Sequence, residues 1–143
     1  MKKILLVILV VVGAYYANEK LLPEVESSTV RQHLNSRLYK VIDEQQTGYQ
    51  VQGRGTVARL LSDDNDGSRH QRFIIELDSG QTLLIAHNID IAARVRGLRP
   101  GDRVSFFGEY EWNDQGGVIH WTHRDSRRDH VAGWVEHNGR RYQ

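Results

Sequence analysis

The sequence predicts a mainly β fold, in which a small five-stranded barrel carries an N-terminal helix and a C-terminal arm. From residue 49 onward, apolar and polar residues alternate with the period of two that is typical of strands. Between residues 49 and 123 the pattern gives three strands, a short helix and two more strands. That order is typical of the OB-fold, a small Greek-key barrel, so an OB-like architecture is expected.

The strands are separated by residues that favour turns. Asp78-Ser79-Gly80 is typical of a hairpin, and Arg99-Pro100-Gly101-Asp102 leads into the fourth strand. Gly53 and Gly55 lie inside the first strand, where they predict a bulge or a sharp bend. The five predicted strands are Tyr49 to Leu61, Gln71 to Leu77, Gln81 to His87, Arg103 to Trp112 and Val118 to His123.

Two helices and an arm complete the prediction. An amphipathic helix is expected over residues 29–47, because Leu34, Leu38 and Val41 share one face and Thr29 with Gln32 form a capping box. The apolar residues between Asn88 and Leu98 predict a short helix between strands three and four. The arm from Arg124 to Gln143 is polar, and Trp134 is expected to fold it back onto the barrel.

The N-terminal segment predicts export from the cytoplasm. Lys2 and Lys3 precede an uncharged, apolar run over residues 4–17, which resembles a signal peptide and is shorter than the roughly 20 residues of a full span. Ala17 suits a cleavage site but Tyr15 is bulky, so residues 1–17 are a cleaved signal or an inner-membrane anchor. The protein is then periplasmic, secreted or tethered. Residues 18–28 are a linker, 29–47 the helix and 48–143 the barrel domain.

Charge and cysteine content exclude several classes of function. The chain has 19 basic and 18 acidic side chains, and removal of residues 1–17 takes away two lysines, which leaves a formal net charge of −1. Strong non-specific binding to nucleic acid is therefore not expected. The absence of cysteine excludes disulfides, Cys-ligated zinc and cysteine nucleophiles.

Four of the seven histidines lie between residues 120 and 137, and three readings of this cluster stay open. In the first interpretation, imidazole and carboxylate groups from His87, His123, Asp125 and His130 bind a divalent metal such as Zn²⁺ as a cofactor. Alternatively, His123, Asp125 and His130 are catalytic, and a small hydrolase cleaves a phosphodiester with His as general base. In the third reading, these histidines are hydrogen-bonded or solvated at the barrel rim.

The leading functional hypothesis is a non-enzymatic binding module. Its ligand is a protein, an oligosaccharide or a nucleotide-like anion held at the barrel rim and the arm. The residues expected to contact it are polar or aromatic and flank the strand ends: His87, Asn88, His120, Trp121, Arg124, Arg128 and Trp134. The Asp63 to Gly67 loop resembles a calcium loop but lacks the required Glu, so an ordinary turn is expected.

Two motifs carry a family resemblance. They are His120-Trp121-Thr122-His123 (HWTH) and Gly133-Trp134 (GW), accompanied by the TLLIAHNID and GEYEW segments. From about Gln52 to Gln143, the chain resembles a family of small bacterial proteins, domain of unknown function 3465. The resemblance marks these residues without assigning them a chemical role.

Overall fold

A computed structural model of the protein describes residues 35–125 and 129–143. Helix α1 covers residues 35–43, and the first part of its predicted range, 29–34, lies outside the described residues. The seven strands are β1 Tyr49–Leu60, β2 His70–Glu76, β3 Thr82–Asn88, β4 Arg103–Glu111, β5 Val118–His120, β6 Trp134–His137 and β7 Arg140–Tyr142. No helix in these described parts is long and apolar enough to cross a membrane.

The sheet closes into a five-stranded barrel, as the sequence predicts. The strand order is β1-β2-β3-β5-β4, and β1 pairs again with β4 to close the ring. All these pairings are antiparallel except that of β3 with β5. The mainly β, OB-like architecture is therefore confirmed.

Strand β1 takes part in two pairings because it bends. Its first half, Tyr49 to Thr56, pairs with β4, and its second half pairs with β2 across a register shift between Val57 and Arg59. A Cβ atom on Gly55 would lie 2.8 Å from the Glu76 carbonyl oxygen, so this close approach requires glycine. The predicted bend is confirmed.

Helix α1 ends earlier than predicted. Gln45 adopts a left-handed conformation with φ of 52°. The Gln46 amide donates to the Val41 carbonyl, and the Gln45 amide donates to the Ile42 carbonyl. This is a Schellman cap with glutamine in the position that glycine usually takes, so α1 ends at residue 43 rather than at 47.

The short helix predicted between β3 and β4 is not present in the structure. Residues 89–98 form turns with one helix-type hydrogen bond, from the Ala92 amide to the Asn88 carbonyl. The Gln71 side chain donates to the Val95 carbonyl at 3.1 Å and accepts from the Val95 amide at 2.8 Å. Because β2 supplies these hydrogen bonds, the buried apolar residues reach the core without a helix.

The C-terminal arm contains two strands, β6 and β7, that are not predicted from the sequence. Strand β6 pairs with the first half of β4, and β7 pairs with β6. Asn138 and Gly139 join them, both with positive φ (50° and 72°), as in a two-residue hairpin turn. Val135 and Tyr142 bury their side chains in the barrel core, so the arm is part of the fold.

Candidate functional site

The HWTH segment places its four consecutive side chains in three different environments. His120 ends β5 and points to the outer wall of the barrel, and Trp121 is 36% exposed. Thr122 and His123 are buried. Trp121 has a φ of 50°, a conformation that is strained for a bulky residue. This left-handed residue turns the chain from the outer wall to the barrel end.

The GW motif holds the arm against the same segment. The Gly133 amide donates to the His123 carbonyl at 2.8 Å. A Cβ atom on Gly133 would overlap the backbone carbonyl oxygens of Trp121 and Phe107. The two motifs are therefore parts of one contact, which only glycine allows.

Trp134 lies on the outer wall, away from the barrel end. Its ring centroid is 6.5 Å from that of Phe107, and the Arg141 guanidinium lies 4.2 Å over its face. It anchors the arm as expected, but it does not line the cleft described below.

His87 lies inside the barrel and takes no part in a metal cluster. Its Nε2–H donates to the Ala93 carbonyl at 3.1 Å, so Nδ1 accepts from the Thr122 hydroxyl at 2.8 Å. Both ring nitrogens are occupied, which leaves no lone pair for an ion. Burial lowers the pKa of His87 from 6.5 to about 4, and His87 is neutral at physiological pH.

A cleft of about 410 Å³ opens at the end of the barrel beside Trp121. Its walls include Asn88, Ile91, Trp121, His123, Arg124 and His130. The His130 ring packs on Trp121 with centroids 3.7 Å apart, and the His123 and His130 rings are 5.5 Å apart. Of the predicted ligand contacts, Asn88, Trp121 and Arg124 line this cleft together with His123 and His130, whereas His87, His120 and Trp134 do not.

The two cleft histidines share one hydrogen-bonding pattern. His123 donates Nδ1–H to the Arg124 carbonyl at 2.9 Å, and His130 donates Nδ1–H to the Val131 carbonyl at 3.1 Å. A carbonyl only accepts, so each neutral ring keeps an unprotonated Nε2. The Gln143 carboxamide oxygen accepts from Nη2 and Nε of Arg124 at 2.8 and 3.2 Å, which orients the guanidinium.

Asp125 mainly organises the loop that carries His130. Its Oδ2 accepts from the His130 amide at 2.9 Å and also from the Asp129 amide. The same oxygen is 3.8 Å from Nε2 of His130, beyond hydrogen-bond distance. Asp129 also lines the cleft, and the predicted contact Arg128 lies outside the described residues.

One set of metal-ligand side chains converges among residues 35–125 and 129–143, and it differs from the predicted one. Donor atoms of Glu109, Glu111 and His120 all lie within 4.8 Å of one another. Burial is the main cause that lowers the pKa of His120. Alternation along β4 could have indicated that Glu109 and Glu111 share a face, but their pairing with β5 depends on the barrel register.

Comparison with protein families identifies the family of this chain. Residues 22–143 match the family described as "Protein of unknown function (DUF3465)". The comparison with curated proteins found no match.

Proposed function

We propose that this chain, which belongs to the DUF3465 family of proteins of unknown function, is a binding module that holds a nucleotide-like anion in the cleft beside Trp121. The observation that carries the proposal is the conformation of Trp121. A left-handed φ costs a bulky residue roughly 1–3 kcal/mol, yet the ring stays 36% exposed at the cleft. His130 packs on part of the Trp121 ring, and the exposed remainder would offer a planar ligand a surface on which to stack.

The surroundings of Trp121 supply the polar half of such a site. Arg124 contributes a positive charge at a position fixed by Gln143. Nε2 of His123 and of His130 can accept hydrogen bonds from hydroxyl or ring N–H groups of a ligand. A planar ring that carries hydroxyls and a negative charge matches this combination.

The size of the cleft favours a small ligand over a protein partner. Its volume of about 410 Å³ falls within the usual range of small-molecule sites, about 300–1,000 Å³. Stacking of a base on an aromatic side chain contributes roughly 1–3 kcal/mol. Trp121 is therefore expected to supply a large share of the affinity.

The test is a titration of the full chain with nucleoside monophosphates, inorganic phosphate and short oligosaccharides, followed by tryptophan fluorescence and NMR. We expect saturable binding of a nucleotide, weakened at least about tenfold in Trp121→Gly. Glycine accepts the left-handed backbone, so this variant removes the ring without adding strain. Trp134→Phe on the outer wall is the matched control and should bind normally.

Two results would refute the proposal. One is the absence of saturable nucleotide binding, and the other is equal affinity in Trp121→Gly and the native chain. Saturation by an oligosaccharide alone would show a binding module of a different ligand class.

A second candidate function, hydrolysis of a phosphodiester, is favoured by the two unprotonated Nε2 atoms in one cleft. One of His123 and His130 would accept the proton of the attacking water at its unprotonated Nε2 as general base, and the other would first bind a proton from solvent at Nε2 and donate it to the leaving oxygen as general acid. Asp125 accepts hydrogen bonds from the backbone amide of His130. Release of nitrophenolate from bis(4-nitrophenyl) phosphate tests this candidate. We expect turnover to fall at least about a hundredfold in His130→Gln. The candidate is rejected if the native chain shows no turnover, or if His130→Gln turns over as fast as the native chain.

A further inference from the structure

A cluster of two carboxylates and one imidazole lies on the outer wall of the barrel. Glu109 and Glu111 are two residues apart on β4 and share its outward face. His120 on β5 is the direct partner of Glu109 across the sheet. Its Nε2 is 3.8 Å from the Glu109 carboxylate and 3.7 Å from the Glu111 carboxylate.

The two carboxylates do not satisfy the imidazole between them. Both distances are too long for a hydrogen bond, and Nε2 of His120 is inaccessible to solvent and without a hydrogen-bond partner. A buried polar atom without a partner costs roughly 1–3 kcal/mol. The arrangement therefore lacks a group that would contact all three side chains at once.

Gln50 provides a second, independent indication at the same place. It is the partner of Glu109 on the other side of β4, so its side chain leaves the sheet on the same face. Both polar atoms of its carboxamide are buried without a hydrogen-bond partner. Unpaired polar atoms thus lie on both sides of Glu109.

Several other carboxylates of the described surface are paired with an arginine, and Asp102 accepts a hydrogen bond from His137 at 2.9 Å. Glu136 on the same wall is 2.9 Å from Arg141, and Asp90 is 2.7 Å from Arg69. Among the ion pairs of residues 35–125 and 129–143, Glu109 and Glu111 face His120 instead of an Arg or a Lys. Two close carboxylates without a fixed cation repel each other, and a cation between them would remove that repulsion.

We propose that Glu109, Glu111 and His120 form a binding site for a divalent transition-metal ion such as Zn²⁺. Imidazole and carboxylate are ligands that these ions take. Ligands at about 2.0–2.2 Å from a tetrahedral ion lie roughly 3.4 Å apart, so separations of 3.7 and 3.8 Å need only small side-chain shifts. Gln50 would hydrogen-bond a ligating carboxylate or complete the coordination.

The experiment measures Zn²⁺ and Co²⁺ binding to the untagged full chain after treatment with a chelator. Calorimetry and elemental analysis give affinity and stoichiometry, and the visible spectrum of Co²⁺ reports imidazole and carboxylate coordination. We expect one ion per chain and at least a tenfold loss of affinity in each of Glu109→Gln, Glu111→Gln and His120→Gln. Glu136→Gln and His123→Gln are matched controls from the same wall and from the cleft, and both should bind normally.

Glu111→Gln keeps the shape of the side chain on a half-exposed position, and an unchanged unfolding midpoint of the metal-free chain will show that it folds. The absence of stoichiometric binding would overturn the proposal. The proposal would also be overturned if the three ligand variants bound the ion as tightly as the native chain does. A loss of the ion in His123→Gln alone would place the ion in the cleft and would overturn it too.

Discussion

At the residue scale, the burial of His87 makes the stability of the barrel depend on pH. The side chain is fully buried, and its pKa is lowered from 6.5 to about 4, chiefly by burial. Between these two values the unfolded chain binds a proton that the folded chain does not bind. Acid therefore favours the unfolded state over that interval.

We expect the free energy of unfolding to include a His87 contribution that is complete above pH 6.5 and decreases as the pH falls towards 4. The contribution amounts to about 3.5 kcal/mol at most, because one pKa unit corresponds to about 1.4 kcal/mol. Urea unfolding between pH 4.5 and 7.5 measures it.

The comparison variant is His87→Gln, whose amide can replace the contacts to Ala93 and Thr122 without binding a proton. It should be less stable at pH 7.5 and should show a flatter dependence on pH than the native chain. Parallel pH curves for the two chains would show that His87 does not cause the effect.

The residue scale is also where sequence reasoning reached its limit. The period of strands identifies inward and outward positions, but it does not show that β5 ends at His120 and that Trp121 turns the chain. The sequence groups His87 with His123 in a possible metal site. In the structure, His87 is hydrogen-bonded to Thr122 in the core. The predicted rim residues Asn88, Trp121 and Arg124 do line the cleft.

At the element scale, the contact between Gly133 and the HWTH segment decides whether β6 can pair with β4. A Cβ atom at Gly133 would meet two backbone oxygens, which cannot move without displacing β4 or the chain at Trp121. A substitution here therefore affects the whole arm, including the core residues Val135 and Tyr142.

We expect Gly133→Ala to lower the free energy of unfolding by roughly 2 kcal/mol or more, as overpacking against rigid atoms does. Gly139→Ala is the control: its Cβ meets no atom within 4 Å, but its φ is 72°, so only backbone strain of about 1 kcal/mol is expected. Urea unfolding of both variants checks the difference. A smaller loss in Gly133→Ala than in Gly139→Ala would contradict the steric argument.

Local signals for the elements were present in the sequence to different degrees. Asn138-Gly139 is a strong hairpin signal that indicates β6 and β7, but the polar composition of the arm obscures the two short strands beside it. The spacing of Ala92, Val95 and Leu98 resembled a helix, although a side chain from a distant strand, Gln71, satisfies the backbone there. Such long-range hydrogen bonds leave no trace in local periodicity.

At the scale of the whole molecule, the barrel could be inferred because local patterns and strand order agree. The glycines of β1 indicate the bend that closure requires, and the turn residues separate the five strands of the barrel, although they did not lead to β6 and β7. Strand β3 pairs with β5 in parallel, and β1 pairs with β4 to close the barrel. These two pairings are expected only once the OB-like fold is assumed, because no single residue in the sequence indicates them. The metal-ligand set of Glu109, Glu111 and His120 depends on that register, and a single sequence does not specify it.

The remaining prediction concerns the location of the whole chain, and it rests on the apolar run of residues 4–17. We expect the protein to leave the cytoplasm, and the mass of the recovered chain will show whether it is cut after Ala17 or keeps its anchor. A charge in the middle of the run should block export, because an arginine there costs about 2.5–3.5 kcal/mol at the translocon. Leu9→Arg should therefore remain with the cytoplasmic fraction, while Leu9→Ala, which adds no charge, should be exported. Export of Leu9→Arg at the native level, or retention of the native chain in the cytoplasm, would show that this segment is not an export signal.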